Sequence, residues 1–139
     1  MPTVPWVTPN PAPPHTRAVV MASTFEVRTL KDVPRFFWKS FAAWRQLQSA
    51  AGVFGASLVA QPTKRLFCTL SAWESKDALY AYAKAEPHRS IMSTLRPTMR
   101  RSTFTFWEVP VEELPISWAD AKRRLADQAR ADAAGGRVP

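Results

Sequence analysis

The apolar positions of this chain fall into four short runs that have the length and the β-branched or aromatic content of strands. These runs are residues 18–27, 52–60, 66–73 and 102–109. Because the second and third runs are separated only by a short connection containing Pro62, we predict that they form a hairpin. Alternation within the runs places apolar side chains on both faces of the resulting sheet.

Apolar residues at helical spacing predict helices between these strands. After Asp32, a candidate cap, and Pro34, which a first helical turn tolerates, an apolar face follows. That face consists of Phe37, Phe41, Trp44 and Leu47, widened by Phe36 and Trp38. Further helices are predicted over residues 76–85 and 87–95, and from a capping box at Ser117 towards Ala133. The order β-α-β-β-α-β with an extra C-terminal helix predicts an α+β, ferredoxin-like fold.

The chain divides into three parts. Residues 1–17 hold six of the 13 prolines and predict an extended or disordered arm, interpreted as a loose tail. Residues 18–110 form the ferredoxin-like domain, and residues 111–139 a C-terminal helix and tail. The apolar stripe of that helix is thin, so we expect it to pack on a neighbour rather than in the core. Since two helices can cover only one face of the sheet, we predict a homodimer whose sheets pack face to face.

Composition and charge narrow the function classes. The net charge is +8, but the basic residues lie in short, scattered groups, which favours a solvated basic surface over a nucleic-acid module. No apolar run is long enough for a membrane span, no signal peptide is recognised, and Cys68 is the single cysteine. We therefore expect a cytoplasmic protein without a membrane partner. The absence of glycine-rich phosphate loops and of paired metal ligands argues against phosphoryl transfer, nicotinamide chemistry and structural zinc.

The segment 65–96 carries the candidate chemistry. A strand leads into a helix, the helix breaks at Pro87, and His88 follows at the start of the next helical turn. His88 shares a helical face with Ile91, Met92 and Leu95, so its imidazole is expected along an apolar wall. There it could be an iron ligand, a general acid or base, or a histidine with no catalytic role. The sequence assigns no catalytic residue. Candidate lining residues for an aromatic pocket are Trp38, Phe41, Trp44, Trp73, Tyr82 and Met92, although core packing alone is also consistent with them.

The motif Ser71-x-Trp73-Glu74-Ser75, followed by Ala78-Leu79, Tyr82-Ala83 and His88-Arg89, resembles the dimeric α+β barrel superfamily. That superfamily includes the antibiotic-biosynthesis-type monooxygenases, and the local arrangement is most similar to the spheroidene monooxygenase branch, a group associated with haem. The resemblance covers residues 65–96 in detail and 18–109 by element order. No asparagine early in the first strand matches the catalytic amide of the haem-degrading members.

The resemblance implies a haem-binding, monooxygenase-like enzyme of specialised metabolism that acts on a small hydrophobic or aromatic substrate. His88 would be the axial ligand of the iron of haem b, and Arg89 or Arg96 would pair with a propionate. Two alternatives stay open. One is a cofactor-independent monooxygenase whose electron-rich aromatic substrate itself reacts with oxygen, and the other is a non-enzymatic binding or interaction protein.

Overall fold

The computed structural model describes residues 3–134, which form one antiparallel sheet with helices on both faces. The strands and helices are β1 (Thr3–Val7), β2 (Arg17–Val27), α1 (Val33–Gln48), β3 (Val53–Gln61), β4 (Leu66–Trp73), α2 (Lys76–Lys84), α3 (His88–Leu95), β5 (Met99–Pro110) and α4 (Trp118–Ala134). The strand order is β1-β3-β4-β2-β5. From β2 onwards this is the predicted ferredoxin-like α+β fold, with the predicted hairpin between β3 and β4. No helix among the described residues is long and apolar enough to cross a membrane.

Serine residues begin two of the helices, because a hydroxyl oxygen can accept a hydrogen bond from a free backbone N–H of the first turn. The Ser75 hydroxyl accepts from the Ala78 amide at 3.1 Å at the start of α2. Ser117 does the same for the Asp120 amide at 3.1 Å ahead of α4. Asp32 lies at the predicted cap of α1, but its side chain makes no capping hydrogen bond.

The proline-rich arm is not a loose tail over residues 3–17, contrary to the interpretation of the sequence. Its strand β1 pairs antiparallel with β3, and the Ser57 hydroxyl donates to the Val4 carbonyl at 2.7 Å. The Trp6 ring lies so close to Gly55 that a Cβ there would be 2.2 Å from it, which only glycine permits. The Asn10 side chain donates to the carbonyl of Val53 at 3.0 Å and fixes the arm further along. The arm thus belongs to the fold of its own protomer.

The two faces of the sheet are covered by different helices. On the side that we call the α4 face, α4 packs directly on β2 and β5. Ala121 and Leu125 of this helix join the buried cluster around Val20 and Leu70. The expectation that α4 would pack outside the core is therefore wrong. Its thin stripe suffices because it meets small side chains such as Ala22 and is flanked by larger ones such as Phe54 in the same buried cluster.

Covering the α4 face within one protomer removes the argument from which the homodimer was predicted, a second sheet face left bare. The homodimer stays a prediction on the resemblance alone. The opposite side of the sheet, which we call the cavity face, lies beneath α1, α2 and α3. Two core clusters there join β2, β3 and β4 to these helices, and they leave a space between the layers.

Candidate functional site

A cavity of about 360 Å³ lies between the cavity face of the sheet and the three helices. Its lining is predominantly apolar and aromatic, which is the usual character of small-molecule sites in proteins. The sheet contributes Met21, Phe25, Phe67 and Phe104, and the helices contribute Phe36, Trp44, Leu47, Leu79, Tyr82, His88, Ile91, Met92 and Leu95. The polar groups among these walls are few, so each one decides how a ligand could be oriented.

His88 is the histidine that lines this cavity, and its hydrogen bonds determine which tautomer its imidazole adopts. Its Nδ1 lies 3.0 Å from the Ala83 carbonyl oxygen, and since a carbonyl can only accept, Nδ1 carries the proton and donates it. The lone pair is therefore on Nε2. Burial lowers the pKa of His88 below its ordinary value of 6.5, so the imidazole is neutral at pH 7. Its ring centroid is 4.7 Å from that of Tyr82.

Gln46 of α1 is hydrogen-bonded to both short helices, to α3 at His88 and to α2 at Tyr82. Its Oε1 accepts from the His88 amide at 2.7 Å, and its Nε2 donates to the Tyr82 carbonyl at 3.1 Å. The Tyr82 hydroxyl in turn donates to the Ala43 carbonyl at 2.8 Å. Burial raises the pKa of Tyr82, so this hydroxyl stays protonated. Gln46 could not be recognised from sequence, because its contact with His88 spans 42 positions.

Three hydroxyl groups occupy the floor of the cavity, and the sequence analysis missed them. Ser23 of β2 lies opposite Thr69 of β4, and Ser71 follows two residues later on the same face. All three line the cavity, and we call them the hydroxyl strip. The Ser23 and Thr69 hydroxyls are hydrogen-bonded to each other, and the Ser71 hydroxyl accepts from Trp73 Nε1 at 2.8 Å. Polar residues at i and i+2 in an otherwise apolar strand are the signal that could have revealed this strip.

The structure brings part of the predicted site together. Trp44, Tyr82 and Met92 line the cavity together with His88 and Arg96. Arg89 does not line it and is exposed on the outer side of α3.

Three of the predicted pocket residues lie elsewhere, and this corrects the sequence-based assignment. Trp38 is 76% exposed and Phe41 is 47% exposed, because the buried stripe of α1 runs through Phe36 and Leu47 instead. Trp38 is two residues from Phe36, or about 200° around the helix. Trp73 is completely buried and packs behind the cavity, with its ring centroid 5.3 Å from that of Tyr82.

The chemistry available to the site is limited by its donor set. Among residues 3–134, no group of three or more His, Cys, Asp or Glu side chains could hold a metal ion. Cys68 is buried on the α4 face, where burial raises its pKa and keeps it a thiol. The arrangement therefore offers one neutral imidazole, one guanidinium from Arg96, a few hydroxyls and an aromatic wall.

Residues 18–134 match the sequence profile of a family described as a domain of unknown function, DUF3291. The chain belongs to this family. No curated protein is significantly similar to it in sequence.

Solved structures show which fold this DUF3291 chain shares. It is similar to the "Putative antibiotic biosynthesis monooxygenase from Nitrosomonas europaea", with a TM-score of 0.62 at 12% identity over 76% of this chain and 98% of that one. It is also similar to SnoaB, a cofactor-independent oxygenase from Streptomyces nogalater, with a TM-score of 0.57 at 14% identity over 71% and 98% of the two chains. The predicted membership in the fold of the antibiotic-biosynthesis-type monooxygenases is confirmed.

Proposed function

We propose that this protein is a monooxygenase-like oxidative enzyme that binds a small aromatic substrate in the cavity and uses His88 as a proton acceptor. The observation that carries the proposal is the state of His88, a neutral imidazole that lines a predominantly apolar cavity and whose Nδ1 proton is held by a backbone carbonyl. The oxygenases that share the fold, one of them described as cofactor-independent, support the same class of reaction.

The size of the cavity favours a substrate without a large cofactor beside it. Protein sites for small organic ligands span about 300 to 1,000 Å³. At about 360 Å³ the cavity lies near the lower end of that range. A substrate with one or two fused rings fits this volume, and the aromatic walls of Trp44 and Tyr82 suit its flat faces.

Phenols are the substrate class for which a single base in an apolar cavity is sufficient, because the substrate itself can reduce O₂. His88 Nε2 takes the phenolic proton, and the electron-rich phenolate transfers electrons to O₂, so that a C–O bond forms at a ring carbon that bears hydrogen. Loss of that hydrogen as a proton and cleavage of the O–O bond release water and leave a quinone carbonyl. The balance is phenol plus O₂ to quinone plus water. The substrate supplies all the electrons, and no outside reductant is needed.

The test is oxygen consumption by the protein with a panel of phenols that includes 1-naphthol. We expect His88→Gln, which keeps a polar side chain but no base, to lower the rate by about 10²- to 10⁴-fold. Arg89→Gln is the matched control, since it alters the next residue on the outer side of the same helix. Quinone formation at an unchanged rate in His88→Gln would contradict the assignment of the base.

The pH dependence gives a second readout for the same residue. Because burial lowers the pKa of His88 below 6.5, the active neutral form predominates at pH 7 and is lost as the pH falls through that lowered pKa. The rate should therefore rise with pH on an acidic limb located below pH 6.5. This limb should be absent from whatever activity remains in His88→Gln. An acidic limb at the same pH in the unmodified protein and in His88→Gln would show that another group is titrating.

Haem binding is a second candidate, favoured by the hydrogen bond from His88 Nδ1 to a backbone carbonyl. Histidines that bind metals usually donate their second ring nitrogen in this way. The donor set fits a haem b held by His88, with Arg96 of the cavity lining available for a propionate and Arg89 facing away. The haem would supply oxygen activation at its iron. Saturable hemin binding with a Soret band that His88→Ala abolishes would support this candidate, and no saturable binding would discard it.

A further inference from the structure

The hydroxyl strip of Ser23, Thr69 and Ser71 places three polar side chains in a predominantly apolar part of the cavity. Ser23 is completely buried and Ser71 is 2% exposed, yet both border the cavity. Apolar pairs flank the strip on the same face of β2 and β4, with Phe25 opposite Phe67 at one end. A hydroxyl in such surroundings costs free energy unless its hydrogen-bonding capacity is used.

The hydrogen bonds of the strip account for only part of that capacity. In the pair of Ser23 and Thr69 one hydroxyl donates to the other, which leaves the hydrogen of the second. The Ser71 oxygen accepts from the Trp73 indole, which leaves the hydrogen of Ser71. Within the part of the chain that the structure describes, no acceptor is found for these two hydrogens. These side chains border the cavity, and Thr69 is the partly exposed one, so its hydrogen is the more accessible to a ligand when Ser23 donates to it.

The helical wall presents the complementary group. His88 donates through Nδ1 to the backbone, so Nε2 can only accept. The cavity therefore has hydroxyl donors on its floor, and its helical side has the acceptor His88 beside the donors Ser40 and Arg96. A ligand that satisfies both has an acceptor oxygen at one position and an acidic O–H at another.

We propose that the hydroxyl strip is the polar anchor of the ligand site and binds an acceptor oxygen, such as a ring carbonyl, of an aromatic ligand. This inference deepens the proposed function and rests on its assignment of the cavity as the substrate site. It assigns Ser23, Thr69 and Ser71 as residues that determine specificity, whereas His88 acts on the reacting group. The anchor makes the substrate class a hydroxylated aromatic that carries a second, hydrogen-bond-accepting oxygen.

The experiment compares two probes that differ only in a carbonyl, 1-tetralone and tetralin. Binding is followed by quenching of tryptophan fluorescence. A ketone accepts but does not donate, so its preference reports hydrogen-bond donors of the lining and not Nε2 of His88. Because Ser40 and Arg96 also line the cavity, variants of the hydroxyl strip are needed to identify the donor. We expect the unmodified protein to bind 1-tetralone about 2- to 12-fold more tightly than tetralin, the range for one net hydrogen bond. Equal affinities, or no measurable binding of either probe, would overturn the proposal.

Variants locate the preference within the cavity. Thr69→Val replaces a hydroxyl by a methyl at nearly constant volume and should lower the ratio of the two affinities. The double variant Ser23→Ala with Thr69→Val should lower it further. The matched control is Thr24→Val, on the same sheet but on the α4 face, where its hydroxyl lies 3.8 Å from Cys68 Sγ. A ratio unchanged in both cavity variants, with thermal unfolding showing that they fold, would overturn the proposal, as would an equal decrease in Thr24→Val.

The same probes separate this inference from the proposed function. If His88→Gln loses oxidation and keeps the preference for 1-tetralone, both assignments are supported. If it keeps oxidation and the preference, the anchor is supported and the base is wrong. If the preference is absent from the unmodified protein while His88→Gln abolishes oxidation, the base is supported and the anchor is wrong.

Discussion

The two faces of this sheet are built from the same strands but packed in different ways. On the α4 face, small residues such as Ala22 and Ala121 let a helix approach closely, and larger residues such as Phe54 complete the buried cluster. On the cavity face, aromatic side chains such as Phe36 and Trp44 project between the layers, and an empty volume results. The comparison shows that one set of strands can pack directly on a helix with one face and leave a ligand-sized space beneath helices with the other.

The largest expected change in the free energy of unfolding comes from truncating one leucine on each face to alanine. Leu125 of the α4 face is 6% exposed and Leu47 of the cavity face is 7% exposed, so the two differ little in burial. We expect Leu125→Ala to lower the free energy of unfolding by about 3 to 5 kcal/mol and Leu47→Ala by about 2 kcal/mol. Leu47 already borders an empty volume and loses fewer contacts. Urea unfolding measures both, and a larger loss in Leu47→Ala would contradict the comparison.

A smaller change in the free energy of unfolding is expected when one alanine on each face is enlarged to leucine. Ala121 is completely buried against the sheet, whereas Ala43 borders the cavity. Ala121→Leu should lower the free energy of unfolding by about 1 to 3 kcal/mol through overpacking. Ala43→Leu should leave it nearly unchanged and abolish 1-naphthol binding, because the new side chain takes the space of the ligand. Retained binding in Ala43→Leu would show that the ligand site lies outside this cavity.

The smallest expected change in stability comes from Trp38 on the outer side of α1, and Trp44 on the inner side provides the comparison. Trp38→Ala should change the free energy of unfolding by about 0.5 kcal/mol or less, because its side chain is mostly exposed. It should also leave 1-naphthol binding unchanged, while Trp44→Ala weakens it through loss of an aromatic wall. Fluorescence titration of both variants is the measurement. Weaker binding in Trp38→Ala would place the ligand on the outer side of the helix.

Much of the fold could be predicted because strands and helices impose periods of two and 3.6 on apolar residues. The bounds of β4 were predicted to the residue, and those of β3 within one. The strand β1 could not be predicted, because prolines usually interrupt sheets, and Pro5 is accommodated here by an irregular register beside β3.

The candidate site was harder to predict, because it depends on which way a helix faces and on contacts between distant residues. Aromatic residues surround α1 on several sides, so composition alone did not show that Phe36 faces inward and Trp38 outward. The position of His88 was predictable from the break at Pro87 and the apolar residues that follow. Its hydrogen bonds to Ala83 and Gln46 required the three-dimensional structure.

The short strand β1 has a consequence for aggregation. It occupies the side of β3 that would otherwise end the sheet, and β3 is buried along nearly its whole length. Without β1, the apolar sequence from Val53 to Ala60 would present unpaired backbone groups to other chains, a known template for intermolecular pairing. With β1 in place the sheet ends in a short strand that carries Pro5, which has no N–H to donate. The proline-rich segment thereby protects the β3 side of the sheet from pairing with another molecule, while β5 forms the opposite edge.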